Sequence, residues 1–158
     1  MRFFARLFRI APAPPPGPLE RGVWALGRGD LDEAERCFAA ALALAGADGE
    51  RALVHNKRAL VAVARGDRAA ADAAIGEALR ADEGCVPAIV NAGNLLLEDG
   101  DIDGAIARFE RAIGLDPDYP EAHHNLGVAF RRAGRRSDAV RELRRATGLE
   151  RRRKKGRS

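Results

Sequence analysis

Three histidines, two cysteines and two serines are the first residues of this 158-residue chain to weigh as ligands or nucleophiles, and their spacing argues against both roles. His55 lies far from His123 and His124 in sequence, and adjacent residues on a helix point in different directions, so His123 and His124 are poorly placed to hold one ion. Ser137 and Ser158 stand in no nucleophile context, and no glycine-rich phosphate loop follows a strand pattern. Cys37 and Cys85 are too few for a disulfide framework and read as core thiols. Arg28-Gly29-Asp30 has the form of an adhesion tripeptide, but it coincides with a turn that recurs along the chain. The expectation is therefore a protein without catalytic residues, cofactor or metal. The chemistry left is that of amides: Asn91 and Asn125 carry side chains that can both donate to and accept from an extended peptide backbone.

The elements that position such amides are legible from a repeat. Gly29-Asp30, Gly66-Asp67, Gly100-Asp101 and Gly134-Arg135 recur at intervals of 37, 34 and 34 residues. Aligned on these glycines, the chain divides into blocks 15–48, 52–85, 86–119 and 120–153, with 49–51 as an insertion. After each turn come Ala34, Ala71, Ala105 and Ala139, then Phe38, Ile75, Phe109 and Leu143, then Ala41, Ala78, Ala112 and Ala146. Steps of four and three put these positions on one helix face, a large residue between two small ones. Before each turn stand Gly22, Ala59, Gly93 and Gly127, small enough for a preceding helix to cross at short range. The unit is helix, tight glycine turn, helix, with glycine taking the φ > 0 position that ends the first helix.

This pattern resembles the tetratricopeptide repeat family, a 34-residue helix-turn-helix with small and aromatic residues at fixed offsets. The best match runs through Asn91, Gly93, Gly100-Asp101, Ala105, Phe109, Ala112 and Asp116-Pro117, then Asn125, Leu126, Gly127, Phe130, Gly134, Ala139, Leu143 and Ala146. The resemblance implies an all-α, right-handed superhelical solenoid of about four repeats over 18–153. A short segment, 1–17, precedes it and a basic tail, 154–158, follows. The first two blocks depart from the pattern, with Arg21 and Arg58 where a large apolar residue is usual and Ala25 and Ala62 where an aromatic is favoured. Those units are expected to pack less tightly, with Trp24 supplying volume in the first.

The family's geometry further implies a concave groove lined by the first helix of each unit. Its residues here are Asn56, Lys57 and Leu60, then Asn91 and Asn94, then His124, Asn125 and Val128, flanked by Leu53, Val63, Val90, Leu97, Arg131 and Arg132. Asn91 and Asn125 look like the asparagine ladder of peptide-binding members, although asparagine also occupies this place without a ligand; Lys57 and Glu20 hold it in the other units. Members that clamp a chaperone's terminal carboxylate use lysine, asparagine, asparagine, lysine and arginine at set places. The last three units present Asn56, Leu60, Asn91, Glu121 and Asn125 instead, and the first three present Leu19, Val23, Lys57, Pro87 and Asn91, which disfavours that subtype. An apolar and amide groove points to a peptide with hydrophobic side chains.

The net charge of +4 conceals a strong division. Residues 1–18 carry three basic and no acidic groups, 19–130 carry 11 and 20, and 131–158 carry 13 and 3. At the start, Arg2, Arg6 and Arg9 share one helical face beside a stripe of Phe3, Phe4, Leu7, Phe8 and Ile10, before the proline-rich 11–18 forms a stiff spacer. Three readings stay open for this segment: an anchor for a membrane surface or partner, a fold-back onto the first repeat or the groove, and a disordered start. The basic run 151–158 either binds nucleic acid or anionic lipid weakly and without sequence preference, or keeps the open end of the array in water. An exposed repeat end with small residues also allows self-association.

No apolar run approaches the roughly 20 residues needed to span a bilayer. Arg2, Arg6 and Arg9 interrupt what would be the apolar core of a secretory signal, so the expected location is the cytoplasm, with peripheral membrane attachment as a variant. The leading expectation is a non-catalytic scaffold or adaptor that binds an extended or helical segment of another protein. The alternative is a peripheral membrane tether or nucleic-acid accessory working through the basic termini.

Overall fold

The computed structural model describes residues 17–156, which form eight α-helices and no strand among the described residues. In chain order they are α1 (Pro18–Gly27), α2 (Leu31–Leu44), α3 (Asp48–Arg65), α4 (Arg68–Ala81), α5 (Val86–Glu98), α6 (Ile102–Leu115), α7 (Pro120–Arg132) and α8 (Arg136–Lys155). Residues 1–16, with the Phe3, Phe4, Leu7, Phe8 and Ile10 stripe, lie outside the described residues.

Each hairpin turn is made the same way. Gly29, Gly66, Gly100 and Gly134 take φ of 78°, 73°, 84° and 77°, the left-handed conformation that side chains resist. The following N–H then closes back on the helix, as Asp67 N on Ala62 O at 2.9 Å and Asp101 N on Leu96 O at 2.9 Å. In three turns that next residue is also the N-cap: Asp30, Asp67 and Asp101 accept from the N–H of Glu33, Ala70 and Gly104 at 3.1, 2.9 and 2.9 Å. In the fourth, Arg135 offers no capping acceptor, and its guanidinium lies 4.1 Å from the Phe130 ring centroid.

The helices pack pairwise as α1–α2, α3–α4, α5–α6 and α7–α8. Between units, α1 meets α3, α3 meets α5 and α5 meets α7, whereas α2, α4, α6 and α8 make no such close approach to one another. An array whose first helices are near neighbours and whose second helices are spread apart curves, with the first helices lining the inside.

Within a pair, the small residue of the first helix receives the large residue of the second. A Cβ added at Gly93 would meet Phe109 Cε1 at 2.6 Å, and one at Gly22 would meet Phe38 Cε1 at 2.5 Å. Both phenylalanines are fully buried, each contributing about 1.5–3 kcal/mol of hydrophobic stabilisation. The largest core cluster joins Ile89, Phe109, Leu126 and Phe130 across α5, α6 and α7. The clusters of the first two units are smaller. There the departures Arg58 and Ala62 line a cavity of ≈ 270 Å³. Trp24 stands outside the first unit's cluster, half-buried beneath the Arg28 guanidinium at 4.6 Å from its ring centroid. Cys37 and Cys85 are free and buried, and burial pushes both thiols above their ordinary pKa.

Two features modify the sequence reading. The insertion 49–51 is helical, extending α3 to 18 residues at its start, where the Glu50 carboxylate accepts from the N–H of Gly46 and Ala47. At the other end α8 runs on through Lys155 for 20 residues, so Arg151 to Lys155, read as belonging to a tail, are turns of a helix. The extension is held by packing: Leu149 is 7% exposed, whereas Leu115, its equivalent at the end of α6, is 51% exposed. Arg153 also reaches Glu121 at 3.4 Å. No described helix is long and apolar enough to cross a membrane.

The glycine contacts generate a paired prediction for urea unfolding. Gly93→Ala must displace Phe109 and should cost about 1–3 kcal/mol. Gly148→Ala, whose added Cβ meets nothing within 4 Å in the middle of α8, should add about 0.5–1 kcal/mol.

Candidate functional site

The inner face of the array holds a cavity of ≈ 390 Å³. From α3 it is lined by Asn56, Lys57 and Leu60, and from α5 by Pro87, Val90, Asn91 and Asn94. Tyr119, Glu121, His124 and Asn125 line it from the start of the last unit, and Glu150 from α8. Seven of the eight groove residues predicted from sequence are thus brought together. The eighth, Val128, is half-buried against the α5–α7 core cluster. Leu97, expected on the same face, is buried in that cluster.

The amides are not independent. Asn125 Nδ2 donates to Asn94 Oδ1 at 2.8 Å, Asn94 Nδ2 to Asn91 Oδ1 at 3.5 Å, and Asn91 Nδ2 to Asn56 Oδ1 at 2.7 Å. Four side chains from three helices form one polarised row. Each nitrogen carries a second N–H and each oxygen a second lone pair, so the row retains capacity for a peptide backbone. Asn56 is only 2% exposed, and burying an amide there is tolerable because Asn91 satisfies its oxygen. Sequence periodicity singled out Asn91 and Asn125 and assigned the corresponding place in the second unit to Lys57. The residue that completes the row is Asn56, one position earlier, where the third unit has Val90 and the fourth His124. Glu150 was unforeseen because it enters only through the overlong α8.

Towards the N-terminal end lies a more apolar cleft between α1, the end of α2 and α3. Leu19, Ala41, Leu44, Leu53 and Val54 line a second cavity of ≈ 250 Å³, with Glu20 and Glu50 also in its lining. Val23, Leu44, Leu53 and Val63 are exposed. The units are stapled along their edges by arginines that donate to carbonyls of a neighbouring unit: Arg65 to Leu31 O at 3.3 Å, Arg68 to Leu95 O at 3.2 Å and Arg132 to Leu97 O at 2.8 Å. Arg65 also pairs with Asp32, and Arg68 with Asp99, exposed contacts between neighbouring units that water screens.

The histidines do not converge. His124 is exposed on the cavity, while His123 is buried, its Nδ1 2.8 Å from Glu142 Oε2 and its Nε2 donating to Pro117 O at 2.9 Å. Among the described residues no group of three or more His, Cys, Asp and Glu side chains could hold a metal ion.

Comparison with known proteins agrees with the geometry. The family description TPR repeat matches residues 93–134, and Tetratricopeptide repeat matches 122–155. No curated protein sequence matches the chain. Among solved structures the chain is similar to MamA, with 21% identity, 87% of this chain and 79% of that one covered, and a TM-score of 0.66. It is also similar to PilF of Pseudomonas aeruginosa, with 22% identity, coverage of 85% and 60%, and a TM-score of 0.72. A third neighbour is YrrB, described as a TPR protein with an unusual peptide-binding site, with 22% identity, coverage of 84% and 66%, and a TM-score of 0.61. With its glycine hairpins and small-to-large helix contacts the chain has the solenoid fold of tetratricopeptide repeat proteins, and its residues 93–155 match that family's repeats.

Proposed function

We propose that this protein is a non-catalytic adaptor that holds a segment of another protein, extended or helical, along its inner face and so helps to assemble or recruit a complex. The observation that carries the reading is the continuous amide row from Asn125 to Asn56 on the wall of a ≈ 390 Å³ cavity. A strand of peptide offers a repeating series of donors and acceptors, and a row of amides on rigid helices can meet several of them without reorganising. The exposed Leu53 and Val63 give hydrophobic side chains of the same segment a surface to cover. Lys57 on one hand, and Glu121 and Glu150 on the other, give the cavity both signs of charge and so favour a ligand that is not strongly charged. The likeness to YrrB, a peptide-binding member of the same fold, supports the reading at the level of architecture.

The test is selection of peptides from a random library on the full-length protein, followed by affinity measurements on the double variant Asn91→Ala/Asn125→Ala. Each substitution removes groove donors and acceptors, and together they should weaken the selected peptides at least about tenfold, the equivalent of about 1.4 kcal/mol. Helicity by circular dichroism should stay as in the parent. Unchanged affinity in the double variant would remove the amide row from the binding site.

A further inference from the structure

We infer that the apolar cleft between α1, the end of α2 and α3 is the docking site of this chain's own residues 1–10, which return onto the first unit and lay Phe3, Phe4 and Leu7 against Leu44 and Leu53. The cleft, of ≈ 250 Å³, lies at the point where those residues join the fold, since Pro18 and Leu19 are two of its walls.

The cleft exists because α1 starts late. The helices α5 and α7 begin 14 residues before their turn glycines and α3 begins 18 before, whereas α1 begins only 11 before Gly29. In the second unit the extra turn is present, and its Ala52 is buried in one cluster with Ala78 of α4 and with Cys85 and Ala88 of the next unit. In the first unit Ala41 stands at the place of Ala78, but the place of Ala52 falls on Pro15, ahead of α1. Leu44, at the end of the same face of α2, is left 74% exposed, more than any other large apolar side chain among the described residues. The first unit thus lacks cover at the place its own preceding residues pass.

Two observations name the occupant. The first is attachment. Residues 11–16 are rich in proline and span about 19 Å when extended, while ten helical residues are about 15 Å long. A chain that leaves along the first stretch and turns back at Ile10 returns Phe3 and Phe4 to within about 10 Å of Gly17. The second is charge. Among the described residues the lining carries two carboxylates, Glu20 and Glu50, and no base; Arg21 and Arg51 follow them in sequence without lining the cleft. The Glu20 carboxylate lies over Gly17, where an added Cβ would run into it. Residues 19–50 carry seven acidic and three basic groups, and residues 1–10 carry Arg2, Arg6 and Arg9 and no acid. An apolar stripe flanked by arginines matches an apolar cleft flanked by glutamates. Docked there, the stripe is withheld from membrane surfaces and from other proteins, and the cleft acts as its sheath.

The experiment is methyl NMR on the full-length protein at low concentration, reading contacts between phenylalanine ring protons and leucine methyls. The rings of Phe3 and Phe4 should contact the methyls of Leu44 and Leu53. In the variant Phe3→Ser/Phe4→Ser the Leu44 methyl signals should move, while those of Leu115, the corresponding leucine of the third unit, should not. Glu20→Gln, at an exposed position, should weaken the ring contacts at low salt. Ring contacts to Leu60 or Val90 instead would put the segment in the amide groove, and contacts found only between labelled and unlabelled molecules in a mixture would make a second copy the donor. Either result overturns the inference, as do unmoved Leu44 methyls in the double variant. Ring contacts of full strength in Glu20→Gln would overturn the charge match by which the occupant was chosen.

Discussion

The structure depends on how closely two helices of one hairpin can approach. Where glycine stands on the first helix, the ring or branched end of the residue opposite occupies the space a Cβ would take, as Phe109 does at Gly93 and Phe38 at Gly22. The alanines on either side of the large residue let the rest of the two surfaces close. Because this contact recurs at nearly constant spacing, each pair meets the next in nearly the same way. The first helices end as neighbours and the second helices are held apart. The concave face is therefore a consequence of small-to-large packing, not of any groove residue.

That separation of tasks explains why the inner face can vary. Asn91, Asn94 and Asn125 are only half-buried, unlike Asn56, so substituting them need not disturb the curvature. Conversely, the row exists only because α3, α5 and α7 are rigid and close: hydrogen bonds of 2.7 and 2.8 Å between side chains of different helices require backbones placed to within a few tenths of an ångström. Arg132 on Leu97 O and Arg68 on Leu95 O act on the same geometry from the edges.

The units are not equally well filled. In the third and fourth, Ile89, Leu126 and Phe130 extend the core from one unit to the next. In the second, Arg58 and Ala62 stand at the places of Leu126 and Phe130, and both line an open cleft. A solenoid can carry such a gap because its stability is spread over nearest-neighbour interfaces instead of one shared core. The end of the array is handled differently again, by lengthening α8 until Leu149 is covered and Arg153 reaches Glu121.

The repeat length, the four turns, the paired small and large positions and most of the inner-face residues were legible in the sequence. They are periodic, and periodicity on a helix converts directly into a shared face. The weak places of the first two units were legible too, as departures from that period at Arg58 and Ala62. What only the tertiary structure decided is every feature that depends on residues out of register with the repeat. Asn56 enters the amide row from a position one step off its counterparts, and Glu150 reaches the cavity because α8 is longer than the other helices. His55 and His123 hold the same place, yet the Nδ1 of His55 has no partner, and Ala74 stands where the fourth unit has Glu142. A period states which positions are equivalent; which side chains then touch is settled by the distance and angle at which the helices come together.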